Sequence, residues 1–390
     1  MYPHQAERLE GALARLGVAA IVATSPANVA YVTGFRSPSR DVHPASAVFA
    51  VYTRTGTALV IPAVDAPAFA AGDVDASHVV CYGTFRVDVA HGADATARRA
   101  AELTTAAVPS PADALAAVLH ALGVADGAVG LDSAPLTEST ARAVVARLAG
   151  TKLHPASGAL AEARLVKGPY EIDCLQQALR IAEESIHEVL GELPAGTTER
   201  EAASVYERAL GRRGARPSAT IIAFGPNTAL PVMAPGDRAL RKGDFVRFDV
   251  GCVFKGYHAA VARMAVLGEP TPGQQVRYDA IEAGIDAALA AIRPGATASS
   301  VLAAAVAAVR AAGIPAFRRH HAGHGIGLEP AEPPWLTADG PVLEPGMVLA
   351  VEAPFYELGA AGLHVRETVL VNNAGAAPMN RSNRGLVVLE

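Results

Sequence analysis

From residue 5 to 16 the apolar positions recur at helical spacing, and the run VAAIVATS that follows reads as a buried strand. Pro26 and Asn28 turn the chain into VAYVTGF and a polar loop at 36–46. ASAVFAVY and TALVIPA read as neighbouring strands, and strand-like and helical segments alternate as far as KLHP at 152–155. The alternation predicts an α/β domain over residues 1–160. From Glu171 the period changes. Ile172, Leu175, Leu179, Ala182, Ile186 and Val189 share one face of a long helix, with Pro169 near its start. Thr198, with Glu201 three residues on, is a capping box that opens a second helix.

This second part, 161–390, repeats itself. LGELPAGTTEREAA returns 99 residues later as LAAIRPGATASSVL, which predicts a second helix pair over 277–292 and 297–312. The strand portion repeats too. LRKGDFVRFDVGCVFKGYHAAVAR from Leu240 is echoed by LEPGMVLAVEAPFYELGAAGLHVRET from Leu343. Each copy runs through an apolar strand to a carboxylate, Asp249 or Glu352, and then enters a second strand reading Gly-apolar-His. Those triplets are Gly256-Tyr257-His258 and Gly362-Leu363-His364. Two residues beyond each histidine stand Ala260 and Arg366. Packed about a pseudo-twofold axis, the copies would set Asp249 opposite Glu352 and Ala260 opposite Arg366, across one pocket.

Composition narrows what such a pocket serves. Half of the 390 residues are hydrophobic and 18% are charged, as in a well-packed chain of two domains. A net charge of −5 gives no electrostatic case for nucleic acid or an anionic membrane as partner. Cys81, Cys174 and Cys252 are scattered without metal spacing, as a reducing compartment allows. No apolar run approaches the roughly 18 residues of a spanning helix, and the N-terminus lacks a secretory core. A cytoplasmic protein is expected. Within the second part, Gly323, Gly325 and Gly327 flank His324, so that backbone and a small ligand can approach the imidazole closely.

GHGIGL at 323–328, with FDVG and GY before it, VEAP at 351–354 and the helix entry VKGPYEID, resembles the pita-bread family. That family includes methionine aminopeptidase, the Xaa-Pro peptidases and creatinase. Residues 1–160, with SPANVAYVTGF, resemble its creatinase/prolidase N-terminal domain. The resemblance implies an α+β fold of two domains, the pita-bread domain covering 161–390. It also implies a two-metal site with five ligands, of which Asp249, His324 and Glu352 are present. The two bridging carboxylates fall on Ala260 and Arg366. Glu367 cannot replace the second, because one step along a strand turns a side chain to the other face. No metal and no cofactor are therefore expected.

Creatinase is the family's metal-free precedent, and the alanine at 260 is shared with it. Its acid/base histidine, however, would fall on Val232, and a carboxylate it keeps would fall on Ala262. The second substrate-contacting histidine of the peptidases would fall on Ala331. The expected activity is a metal-independent hydrolase, or a lyase, acting on a C–N bond of a small polar amino-acid-like compound. An inactive binding domain and a metal enzyme with altered ligands are the alternatives. Asp249, Glu352, His258 and His324 are the candidate catalytic residues, His258 being better placed than His364 beside the hole left by Ala260. Tyr257, His321, His364 and Arg366 are assigned to substrate contact, with Arg366 either gripping a substrate carboxylate or balancing the two acids. Arg263 is read as structural and Cys252 as a buried thiol. The resemblance further implies a homodimer in which Arg36 and Arg40 of one subunit close the pocket of the other.

Overall fold

The computed structural model describes residues 3–74 and 76–390. The chain divides into two compact units, Met1–Arg164 and Leu165–Glu390. In the first unit β1 (Ala20–Ala23), β2 (Phe49–Thr53), β3 (Gly56–Pro62), β4 (His78–Tyr82), β5 (Ala128–Leu131) and β6 (Lys152–Pro155) form one mixed sheet, in the order β4-β3-β2-β1-β5-β6. Its apolar residues bury against the helix Pro111–Ala121 through Leu115, Val118 and Leu119. One element departs from the sequence reading. The stretch from Pro26 is a helix, Pro26–Thr33, not a turn. The reason is local: Ser25 caps the Asn28 N–H, Pro26 sits in the first turn, and Gly34 closes the helix in the left-handed region.

The second unit is built from the repeat. Its first half contributes the helices Pro169–Gly191 and Glu199–Arg212, the latter opened by the Thr198–Glu201 capping box. Then follow β7 (Arg216–Phe224), β8 (Phe245–Phe254) and β9 (Tyr257–Leu267). The second half contributes helices Pro272–Ala291 and Ala298–Ala311, then β10 (His321–Gly325), β11 (Glu332–Thr337) and β12 (Val348–Glu352). The hairpin β13 (Phe355–Glu357) and β14 (Ala361–Leu363) leads to β15 (Arg366–Asn372), with β16 (Gly375–Pro378) and β17 (Val387–Leu389) completing the chain. The main sheet runs β11-β10-β12-β15-β9-β8-β7, so β9 and β15 meet at its centre with their halves arranged outward in mirrored order.

Alternation decides what each face does. On β12 and β15, Leu349, Val351, Val369 and Val371 bury with Ile281, Ile285, Val301 and Val309 of the second helix pair. Cys252 is buried on β8, its thiol donating to the Ala178 carbonyl of the first helix, and burial pushes its pKa up to about 12. The alternate positions of the same strands carry the site.

The glycines around His324 answer a packing demand. A side chain at Gly323 would overlap the Ala350 carbonyl, and one at Gly325 the Pro333 carbonyl. At Gly327 it would overlap the Glu332 carboxylate. Gly323 also has φ = +133°, which side-chain-bearing residues avoid. The expected close approach is that of neighbouring backbone and side chains.

Candidate functional site

Four residues line up across the four central strands. Asp249 of β8 pairs with Ala262 of β9, Ala262 with Arg366 of β15, and Arg366 with Glu352 of β12. The residue facing Arg366 is therefore Ala262, two positions beyond the expected Ala260, which pairs with Gly251. This one-rung difference is what makes the site. Adjacent strands lie about 4.8 Å apart, so Asp249 stands two strands from Arg366, and the methyl of Ala262 lets a long side chain pass over it.

Arg366 makes that crossing. Its Nε and Nη2 donate to Glu352 Oε2 at 2.8 and 2.6 Å, and its Nη1 donates to Asp249 Oδ1 at 2.8 Å. His364 fits beneath the same pair, with Nε2 at 3.0 Å from Glu352 Oε2 and Nδ1 at 3.3 Å from Asp249 Oδ2. The side chains of Arg366 and Glu352 are only 11% and 6% exposed, so solvent screens the contact weakly. Burial alone would raise the pKa of both acids. The guanidinium and His364 outweigh it, holding Asp249 and Glu352 well below the usual carboxylate range. The two acids are thus ionised and already engaged.

The other side of Glu352 is lined from β10 and the residues just before it. Arg319 Nη2 and His321 Nδ1 stand 3.7 and 3.8 Å from Glu352 Oε1. Burial, with Arg319 close by, pushes His321 down to about 4, so it is a neutral imidazole at pH 7. His324 pairs across the sheet with Ala350, and its ring packs 5.7 Å from the ring of Trp335. Burial, reinforced by Arg366, lowers its pKa as well. His324 Nδ1 donates to the Gly325 carbonyl at 2.9 Å, which leaves Nε2 as the basic nitrogen.

Several expected residues lie elsewhere. Tyr257 is on the opposite face of β9, where its hydroxyl donates to Glu171 of the first helix at 3.3 Å, so it does not line the site. Its odd-numbered place on the strand dictates this, because side chains alternate. His258 shares the face of Asp249, but it pairs with Val253, four residues from Ala262 and about 13 Å along the strand. His364 stands between the two acids, whereas the sequence reading preferred His258 for its place beside Ala260. Arg36 and Arg40 belong to the N-terminal unit. Arg36 is exposed, whereas Arg40 donates to the carbonyls of Thr24, Ser46 and Val48 within its own unit. Glu367 points away from the acids toward Arg263 and Arg384, as alternation predicts. Arg263 also binds the Ala262 and Arg366 carbonyls, in keeping with a structural role.

Three residues here escaped the sequence reading: Arg319, Tyr356 and Arg247. Tyr356 of β13 places its hydroxyl 3.4 Å from His364 Nδ1, and the guanidinium of Arg247 lies over its ring at 5.3 Å. A signal for Arg247 existed. It is a charge inside the apolar run FVRFDVG, two residues before Asp249 and hence on the same face.

These residues do not fit a pair of metal ions. Ala260 and Arg366 stand at the positions the resemblance gives to bridging carboxylates, and a guanidinium spans the two acids that remain. Among the described residues, no three His, Cys, Asp or Glu are grouped to hold a metal ion. Among them also, no helix is long and apolar enough to cross a membrane.

Residues 173–373 match the profile of metallopeptidase family M24, and residues 5–166 that of the creatinase/prolidase N-terminal domain. The Xaa-Pro dipeptidase of Pyrococcus furiosus is 31% identical over 227 residues, covering 57% of this chain and 65% of that protein. The probable dipeptidase PepE of Mycobacterium tuberculosis is 35% identical over 238 residues, covering 60% and 63% respectively. The match thus spans less than two thirds of either relative. A crystal structure of X-Pro aminopeptidase from Thermotoga maritima shares the fold over 98% of this chain and 99% of that one, with a TM-score of 0.79 and 22% identity.

Proposed function

The chain belongs to metallopeptidase family M24, and from that premise we propose that it hydrolyses a C–N bond of a small, polar, amino-acid-like substrate without a metal pair. One observation carries this reading: the Arg366 guanidinium bridges Asp249 and Glu352, in the place where the resemblance puts two cations. Relatives named as dipeptidases support the hydrolase class, since a peptide bond is a C–N bond. Arg366 uses three of its five N–H groups on the acids, and the other two, on Nη1 and Nη2, can hold the oxyanion that forms when water adds to a carbonyl. A fixed guanidinium supplies that charge without being deprotonated.

The base must be unprotonated at pH 7 and still able to take a proton from water, and the two acids are poor candidates because the guanidinium and His364 lower their proton affinity. His324 fits. Its Nε2 takes a proton from the attacking water and returns it to the leaving nitrogen, while the Gly325 carbonyl fixes the tautomer. Asp249, Glu352 and His364 then serve to orient the guanidinium. In the homodimer we propose, Arg36 of one subunit closes the pocket of the other, and Arg40 serves its own loop. A monomer in light scattering at micromolar concentration would remove that part.

The test is an assay of amine release from Xaa-Pro dipeptides and from N-carbamoyl and N-amidino amino acids, each with excess chelator. The reading predicts turnover of at least one class that chelator leaves unchanged and that His324→Ala abolishes in a folded protein. Turnover of none, or turnover lost to chelator and restored by manganese, would overturn it.

A further inference from the structure

Arg247 has no place in the chemistry above, yet it is among the largest fully buried side chains of the molecule. Its Nη2 donates to the Leu230 carbonyl at 2.6 Å and more weakly to that of Pro231 at 3.4 Å. Its Nε and Nη1 are buried with no partner among the described residues. Nη2 lies between them on the planar guanidinium and carries a second N–H, so Nη2 with either of them forms an edge that matches the two oxygens of a carboxylate. The ring of Tyr356 backs the guanidinium, and the chain of contacts through Tyr356 and His364 ends on Asp249. A charge buried in this way is costly unless paired.

The charges of the site point the same way. Arg247, Arg319 and Arg366 bring three guanidinium groups to two carboxylates, so at least one positive charge is unbalanced. One negative charge completes the set, whereas a dianion would set surplus charge against Asp249 and Glu352. The cover over Arg247 is the irregular segment 230–235, where Leu230 and Val232 are exposed. The Leu230 and Pro231 carbonyls of that segment are the acceptors that Nη2 already meets.

We propose that Arg247 is the residue by which this site recognises its ligand, through a carboxylate bound to Nη2 and one of the two nitrogens, Nε or Nη1, that have no partner among the described residues. The inference deepens the reading of the site as a centre for a small amino-acid-like compound and rests on it for the ligand's class. The carboxylate arrives from the side of the 230–235 segment, and its negative charge completes the pairing of the three arginines.

The experiment measures melting temperature of the full chain with acetate, N-acetylglycine and L-proline, against chloride and sulfate at matched ionic strength. Arg247→Met and Arg247→Lys are run in parallel. At tenfold the Kd, at least one carboxylate should raise the wild-type Tm by about 2–3 °C. Arg247→Met should lose that rise, yet melt without ligand no lower than wild type, because an unpaired buried charge has been removed. Arg247→Lys should keep part of the rise. A carboxylate-dependent rise that persists in a destabilised Arg247→Met would overturn the proposal. So would a rise produced equally by sulfate, or none with any carboxylate. Turnover is not read here, so failure of the hydrolysis assay would refute the catalytic reading and leave the assignment of Arg247 in place.

Discussion

Arg366 and Glu352 face each other on neighbouring strands, and two nitrogens of the one meet a single oxygen of the other at 2.6 and 2.8 Å. A third nitrogen carries the same guanidinium over Ala262 to Asp249. Two like charges that the repeat sets near each other are thus bound to one cation belonging to the chain itself.

Arg366→Ala leaves those acids without their counter-charge, and the cost at pH 7 should be about 3–5 kcal/mol. Its pH dependence has a definite sign. In the wild type the acids have depressed native pKa values, so their contribution is present above the ordinary carboxylate range and is lost as the pH falls through those values. In the variant, burial and mutual repulsion raise the same values, so acid relieves the repulsion. The stability gap between the two proteins should narrow from pH 7 to pH 4.5 in urea titrations. A gap that widens would mean that Arg366 is not the counter-charge.

Gly323→Ala tests the packing account of the glycines. A methyl there meets the Ala350 carbonyl at a positive φ, so the fold and not ligand affinity should suffer. A loss of several kcal/mol in chemical denaturation is expected, on the scale of strained backbone added to overlap. A variant as stable as wild type but weakened toward carboxylates would return these glycines to the ligand.

Glu367 separates the two faces of β15. Burial, with the Glu183 carboxylate nearby, raises it to about 7 in spite of Arg263 and Arg384. A raised native pKa stabilises below the unfolded value near 4.3, and that stability is lost as the pH climbs through about 7. Wild-type stability should therefore fall by on the order of 2–3 kcal/mol between pH 4.5 and pH 7.5 from this group. Glu367→Gln should abolish that fall and leave carboxylate binding unchanged. An equal fall in the variant would assign it to another group.

Much of this was legible in the sequence. The repeat from Leu240 to Leu343 located Asp249, Glu352 and Arg366, and period-two alternation kept Glu367 out of the site. Alternation would also have removed Tyr257, an odd position on a strand whose even positions face the acids. The pairing of Arg366 with Ala262 was beyond reach, because β9 and β15 come from different halves and no turn connects them. That one uncertainty also favoured His258 over His364. His364 precedes β15, outside the paired part of the strand, so strand register alone does not place it. Arg319 and Tyr356 reach the site from β10's approach and from a short hairpin, where periodicity carries no information.

The central claim is that a guanidinium replaces a metal pair, and metal stoichiometry tests it most directly. Protein purified without chelator, equilibrated with excess manganese or cobalt and then desalted, would be analysed by mass spectrometry of its elements. The account predicts far less than one equivalent per chain, and no change in Tm when metal is added. Retention of one or two equivalents, with a Tm that rises with metal and falls with chelator, would contradict it.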